Sequence, residues 1–71
     1  MEKITIKTEY IKLDQFLKYT GICNMGSEAK LLIANGEVNV NGSEEKKRGK
    51  KLRKGDIVEV HGREFLIDIV Q

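Results

Sequence analysis

The sequence predicts an α+β fold, and three observations carry that reading. Two short segments place apolar residues at helical spacing, and the remaining segments alternate apolar and polar residues as half-buried strands do. Asn-Gly and His-Gly pairs then stand between strand-like segments, where a tight turn needs them. The chain has 71 residues, which sets the expectation of a single domain, 1–71. A chain of this length buries roughly 60% of its unfolded surface, which leaves little room for a deep catalytic pocket.

Residues 3 to 9, "KITIKTE", alternate Ile4, Ile6 and Thr8 with Lys3, Thr5 and Lys7, the period of a strand. In "KLDQFLKYTG", Leu13, Phe16 and Leu17 fall at i, i+3 and i+4 and form the stripe of a short helix. Asp14 sits near its start, where a carboxylate complements the helix dipole, and Gly21 is the expected stop. "ICNMG" connects to "SEAKLLIANG", a second helix with Ser27 as its expected N-cap and Gly36 as its end. Ala29, Leu32 and Ile33 form its inner stripe. "EVNV" puts Val38 and Val40 on one strand face, Asn41-Gly42 is the strongest hairpin signal in the chain, and "SEEKK" is the return arm. Leu52 is the one apolar residue in the segment that follows and is expected to anchor it. "KGD" is a turn. "IVEV" and "EFLIDIV" are strands joined by His61-Gly62.

The net charge is only +2, yet Lys46, Lys47, Arg48, Lys50, Lys51, Arg53 and Lys54 supply +7 within nine positions, so the rest of the chain carries −5. Such asymmetry points to an anionic partner engaged by one face. A run this basic is commonly a solvated loop. Here Leu52, the "KGD" turn and the preceding hairpin tie it at both ends, so its cations are presented with less entropy to lose on binding.

The catalytic classes find little purchase. Cys23 is the lone cysteine and His61 the lone histidine, too few for a disulfide or a metal-site pattern, and no nucleophile–base pair or phosphate-binding glycine loop with its lysine is evident. The expectation is a protein that is not an enzyme, with no cofactor, no metal and no small-molecule substrate. No stretch approaches the roughly 18 apolar residues of a membrane span, and "MEKITIKTEY" lacks the apolar core of a signal peptide, so we read the protein as cytoplasmic.

The order of motifs is specific. "KLDQFLKYTG", "SEAKLLIANGEVNVNG" and "KKLRKGDIVEV", in register over residues 12–60, resemble the S4-type RNA-binding domain, also called the alpha-L motif. The chain is most similar to its small stand-alone bacterial members, the YaaA type, which carry a run like "RRGKKL"; Lys47-Arg48 stands at the double-basic position. The resemblance implies two short helices packed on a small, mostly antiparallel sheet. It also implies a basic face that grips structured RNA, ribosomal or transfer RNA, without chemistry, beside ribosomal subunits in assembly or quality control. Two positions depart from the family. Lys12 stands where arginine is usual and loses the bidentate fork, and Met25-Gly26 replaces the common Ser-Arg ahead of the second helix.

The candidate RNA contacts are therefore Lys12, Lys30, Lys46, Lys47, Arg48, Lys50, Lys51, Arg53 and Lys54, with Ser27 as a hydroxyl donor and Lys18 as a weaker candidate. Gly26 permits close backbone approach at a helix start, where free N–H groups can hold a phosphate. Tyr10 and Tyr19 are able to stack on unpaired bases, although partial core packing with a wet hydroxyl is the expectation. Two other readings stand beside RNA binding: a basic interaction module that docks an acidic protein, and a helix-turn-helix DNA binder. The second helix offers a DNA groove only Lys30.

Overall fold

The computed structural model describes residues 1–70. The chain runs β1 (Glu2–Ile6), β2 (Ile11–Lys12), α1 (Leu13–Tyr19), α2 (Gly26–Ala34), β3 (Val38–Val40), β4 (Ser43–Glu44), β5 (Lys51–Leu52), β6 (Ile57–Val60) and β7 (Arg63–Ile69). Five strands make the main sheet in the order β1-β7-β6-β3-β4, and β2 with β5 forms a separate two-stranded ribbon. All pairings are antiparallel except β1 with β7, where Ile4 lies beside Ile67 and Ile6 beside Ile69.

The predicted stripes are the core. Leu13, Phe16 and Leu17 of α1 and Ala29 and Ile33 of α2 are buried against Val38, Val40, Val58, Val60, Phe65 and Ile67 of the sheet, with Leu32 partly buried at the edge. Phe16 meets Phe65 edge to face, centroids 5.5 Å apart, which fastens α1 to β7. Each such side chain contributes about 1.5–3 kcal/mol on burial. Cys23 is buried in the same cluster, and burial, followed by the charge of Glu28, pushes its thiol pKa up, so it is an inert packing residue.

Both hairpins are tight. Asn41 and Gly42 have φ of 52° and 85°, and His61 and Gly62 have 52° and 74°, the positive values of a type I′ turn. Gly36 has φ +75° just past α2, and a Cβ there would lie 2.5 Å from a Glu44 carboxylate oxygen.

Three expectations need correction. The first strand ends at Ile6 rather than residue 9, because the chain bends at Lys7–Glu9 and the Thr8 hydroxyl donates to the Tyr10 carbonyl at 2.7 Å. Ser27 is not the N-cap of α2. The helix starts at Gly26, extended Met25, two residues before Ser27, is the cap, and the Met25 carbonyl accepts the N–H groups of Glu28 and Ala29. The return arm of the first hairpin is only Ser43–Glu44, and the chain then leaves the main sheet to pair with β2.

Candidate nucleic-acid interface

The basic segment owes its shape to Leu52. That side chain is fully buried, which draws β5 onto β2 with Leu52 opposite Ile11. The next register position sets Lys51 directly opposite Lys12. Upstream, the Lys50 carbonyl accepts the Leu13 N–H at 2.8 Å and the Arg48 carbonyl accepts the Asp14 N–H at 3.0 Å. The start of α1 is therefore capped by the backbone of the basic loop, and Asp14 itself accepts only the adjacent Gln15 N–H. With its carbonyls facing the helix, the loop sends its side chains outward, where Lys47, Arg48, Lys50, Lys51, Arg53 and Lys54 are all exposed.

The downstream end is locked by polar contacts. Asp56 accepts the Arg53 N–H at 2.8 Å through one oxygen and the Asn41 amide at 3.1 Å through the other. Asn41 in turn accepts the Ile57 N–H at 2.9 Å, so the first hairpin turn is clamped to the Gly55-Asp56 turn.

The cations divide into two sets. Among the described residues, Lys12, Lys47, Arg48, Lys50, Lys51 and Arg53 make no ion pair. Lys51 and Arg53 instead lie 4.8 Å and 5.5 Å from the Tyr10 ring centroid, at cation–π distance. Lys46 differs: its ammonium donates to the Ala34 carbonyl at 3.2 Å and pairs with Glu44 at 3.3 Å, so it completes the C-terminus of α2. Lys54 makes no ion pair among the described residues, and its charge, after the Ile69 N–H and Lys3, helps to hold the Asp68 carboxyl below the usual range. Lys30 and Ser27 are exposed on α2.

Tyr10, Ile11, Lys12, Gln15, Lys18 and Tyr19 line an open groove of about 590 Å³ beside that lip. Tyr19 contradicts the expectation of partial core packing, being 61% exposed. Lys18, the weaker candidate, lines this groove as well. The signal was present: Gln15, Lys18 and Tyr19 lie off the Leu13–Phe16–Leu17 stripe, on the other flank of α1.

Among the described residues no group of three His, Cys, Asp or Glu is placed to hold a metal, and no helix is long and apolar enough to cross a membrane.

A helix pair set on a mostly antiparallel sheet, with a cationic lip at its side, defines the chain as an alpha-L fold. It belongs to the S4 domain family, whose model matches residues 4–68. It is 44% identical over 59 residues to the "Probable ribosome maturation protein RlbA" of Bacillus subtilis (strain 168), covering 83% of each chain. The solution structure of YbcJ from E. coli, described as revealing an alpha-L motif involved in RNA-binding, superposes with a TM-score of 0.71 at 29% identity, over 96% of this chain and 87% of YbcJ. The 30S ribosomal protein S4e from Thermoplasma acidophilum shares the fold, with a TM-score of 0.61 at 22% identity over 82% of this chain and 31% of its own.

Proposed function

We propose that this protein is a non-enzymatic RNA-binding domain that holds structured RNA, ribosomal or transfer, through the lip of Lys12, Lys47, Arg48, Lys50, Lys51 and Arg53, and that it serves ribosome maturation. Lys54 and the α2 residues Lys30 and Ser27 extend the contact surface, whereas Lys46 holds the loop in place. The observation that carries this reading is the Lys12–Lys51 pair. Like charges directly across a strand pair destabilise a sheet, and nothing among the described residues neutralises them. A phosphate backbone laid along the lip supplies the missing anions. The ribosome maturation relative and the alpha-L neighbour support the same reading.

Recognition is by shape and phosphate, because A-form grooves hide base edges from side chains. Each neutralised phosphate steepens the log–log salt dependence by about 0.7–0.9, so affinity falls sharply as salt rises. Co-sedimentation with ribosomal subunits at two salt concentrations tests the reading. The wild type is expected to travel with a subunit at low salt, and Arg48→Glu with Lys50→Glu is expected to fold and stay behind. Full co-sedimentation of that variant would remove the lip as the binding surface. Stronger binding to duplex DNA than to folded RNA would overturn the RNA assignment.

A further inference from the structure

We infer that the groove beside the lip is a seat for one unpaired nucleotide of the bound RNA, with Tyr19 as its stacking platform. The inference rests on the RNA-binding reading and narrows it to RNA that carries a bulged or looped-out base next to a helix. Tyr19 combines two properties that a core tyrosine lacks. The residue is 61% exposed, and its hydroxyl is tethered by a hydrogen bond donated to the Thr5 carbonyl at 3.3 Å. Ordering it on binding therefore loses little entropy.

Tyr19 is also shared by two hollows. Tyr19 and Ile11 line the groove of about 590 Å³ and equally a neighbouring depression of about 360 Å³ that includes Ile6, Lys7 and Thr8. An aromatic wall beside an aliphatic floor fits the flat apolar face of a base. The charges complete the fit, since Lys12 and Lys18 are in the groove lining and no carboxylate is. They stand where the phosphates on either side of an extruded nucleotide pass. Tyr10 has a different role. Its ring is occupied by Lys51 and Arg53, so it positions the lip cations at the groove's edge rather than stacking on a base.

A-form duplex has no base to offer such a seat, because every base is stacked and paired. Preference for an unpaired nucleotide is thus separable from general affinity for phosphate. Two RNA hairpins that differ only in a single bulged 2-aminopurine provide the test. The wild type is expected to bind the bulged hairpin about 5- to 150-fold more tightly than the paired one, the factor that one stacked base contributes. The bulge fluorescence should quench on binding as the fluorophore stacks. Tyr19→Ala should bring the two affinities together and abolish quenching while leaving affinity for the paired hairpin unchanged. Tyr19→Phe, which keeps the ring and loses only the hydroxyl, should retain most of the preference. Equal wild-type binding of the two hairpins, or an undiminished preference in Tyr19→Ala, overturns the inference and leaves the RNA-binding reading intact. Salt-insensitive failure to bind either hairpin overturns the RNA-binding reading itself.

Discussion

The β2–β5 lip and the outer face of the main sheet are opposites built by one rule. On the lip, Lys12 faces Lys51 across the ribbon. On the sheet, Glu59 faces Glu64, and the row continues through Asn39 to Glu44. Each is a like-charged cross-strand pair, and each costs the fold a fraction of a kcal/mol. Their settings differ. The acidic row lies on a regular sheet whose other side is the core, flanked by the half-buried Leu66 and Ile57. The lip is a two-residue ribbon fastened by one leucine and by loop carbonyls, and it borders a groove. The contrast teaches that charge separation here is spatial as well as sequential. The near-neutral total conceals an uneven distribution of charge, and on the function proposed above the acidic sheet face would repel the polyanion that the lip is proposed to hold.

Reversing charge on each side in turn is the largest test of that contrast. Arg48→Glu with Lys50→Glu should lower affinity for ribosomal RNA roughly 100-fold at low salt and flatten the salt slope by about two. Glu59→Lys with Glu64→Lys should leave affinity equal or higher. Filter binding across a salt series measures both, and an equal loss from the two pairs would sink the claim of a binding face.

The anchor of the lip gives the next effect. Leu52→Ala empties a fully buried site and should cost about 2–5 kcal/mol in urea denaturation. Asn41→Ala should cost about 1–3 kcal/mol, because it strands the Asp56 and Ile57 partners and puts a non-glycine, non-asparagine residue at φ 52°. If either variant unfolds no more easily than the wild type, the lip is not pinned as described.

These anchors also mark how far the sequence could be read. Leu52 was legible because a lone apolar residue in a cationic run has one use. The Asn41-Gly42 turn was legible because few residues tolerate positive φ at both positions. The carbonyls of Arg48 and Lys50 that cap α1 were not, since backbone acceptors carry no side-chain signature. Nor was the parallel pairing of β1 with β7, which joins the two ends of the chain and leaves no local pattern. Ser27 misled for a related reason. Capping preference is worth about 1 kcal/mol, and the packing of Ala29 and Ile33 fixes the helix start more strongly. On the interface, the charged run announced itself, while Tyr19 was hidden by the general tendency of tyrosine to pack.

The like-charged pairs then allow stability and binding to be separated. Lys51→Glu turns the repulsive Lys12–Lys51 pair into an attractive one and should raise stability by about 0.2–1 kcal/mol while weakening RNA binding. Glu64→Lys does the same to the acidic pair and should raise stability by a similar amount with RNA binding undiminished. Urea midpoints and RNA titrations on the two single variants decide it. If Lys51→Glu binds RNA as well as the wild type, the repulsion on the lip is incidental to binding.

Acid provides the smallest effect and bears on the β1–β7 edge, the partner of the acidic row in the same sheet. The Glu2 carboxyl is held below its usual range by its paired hydrogen bonds to Arg63, at 2.7 and 2.8 Å, and the Asp68 carboxyl by the Ile69 N–H and then Lys3. Both groups have a lower pKa folded than unfolded. Their contribution is therefore complete above the ordinary carboxylate pKa of about 4 and is lost as pH falls through the lower folded values. Stability should be level from about pH 7 to pH 5 and decline modestly below pH 4, and Arg63→Ala should reduce the Glu2 part of that decline. A midpoint that keeps its value from pH 7 to pH 3 in urea would show that the two ion-paired carboxylates do not fasten β1 to β7.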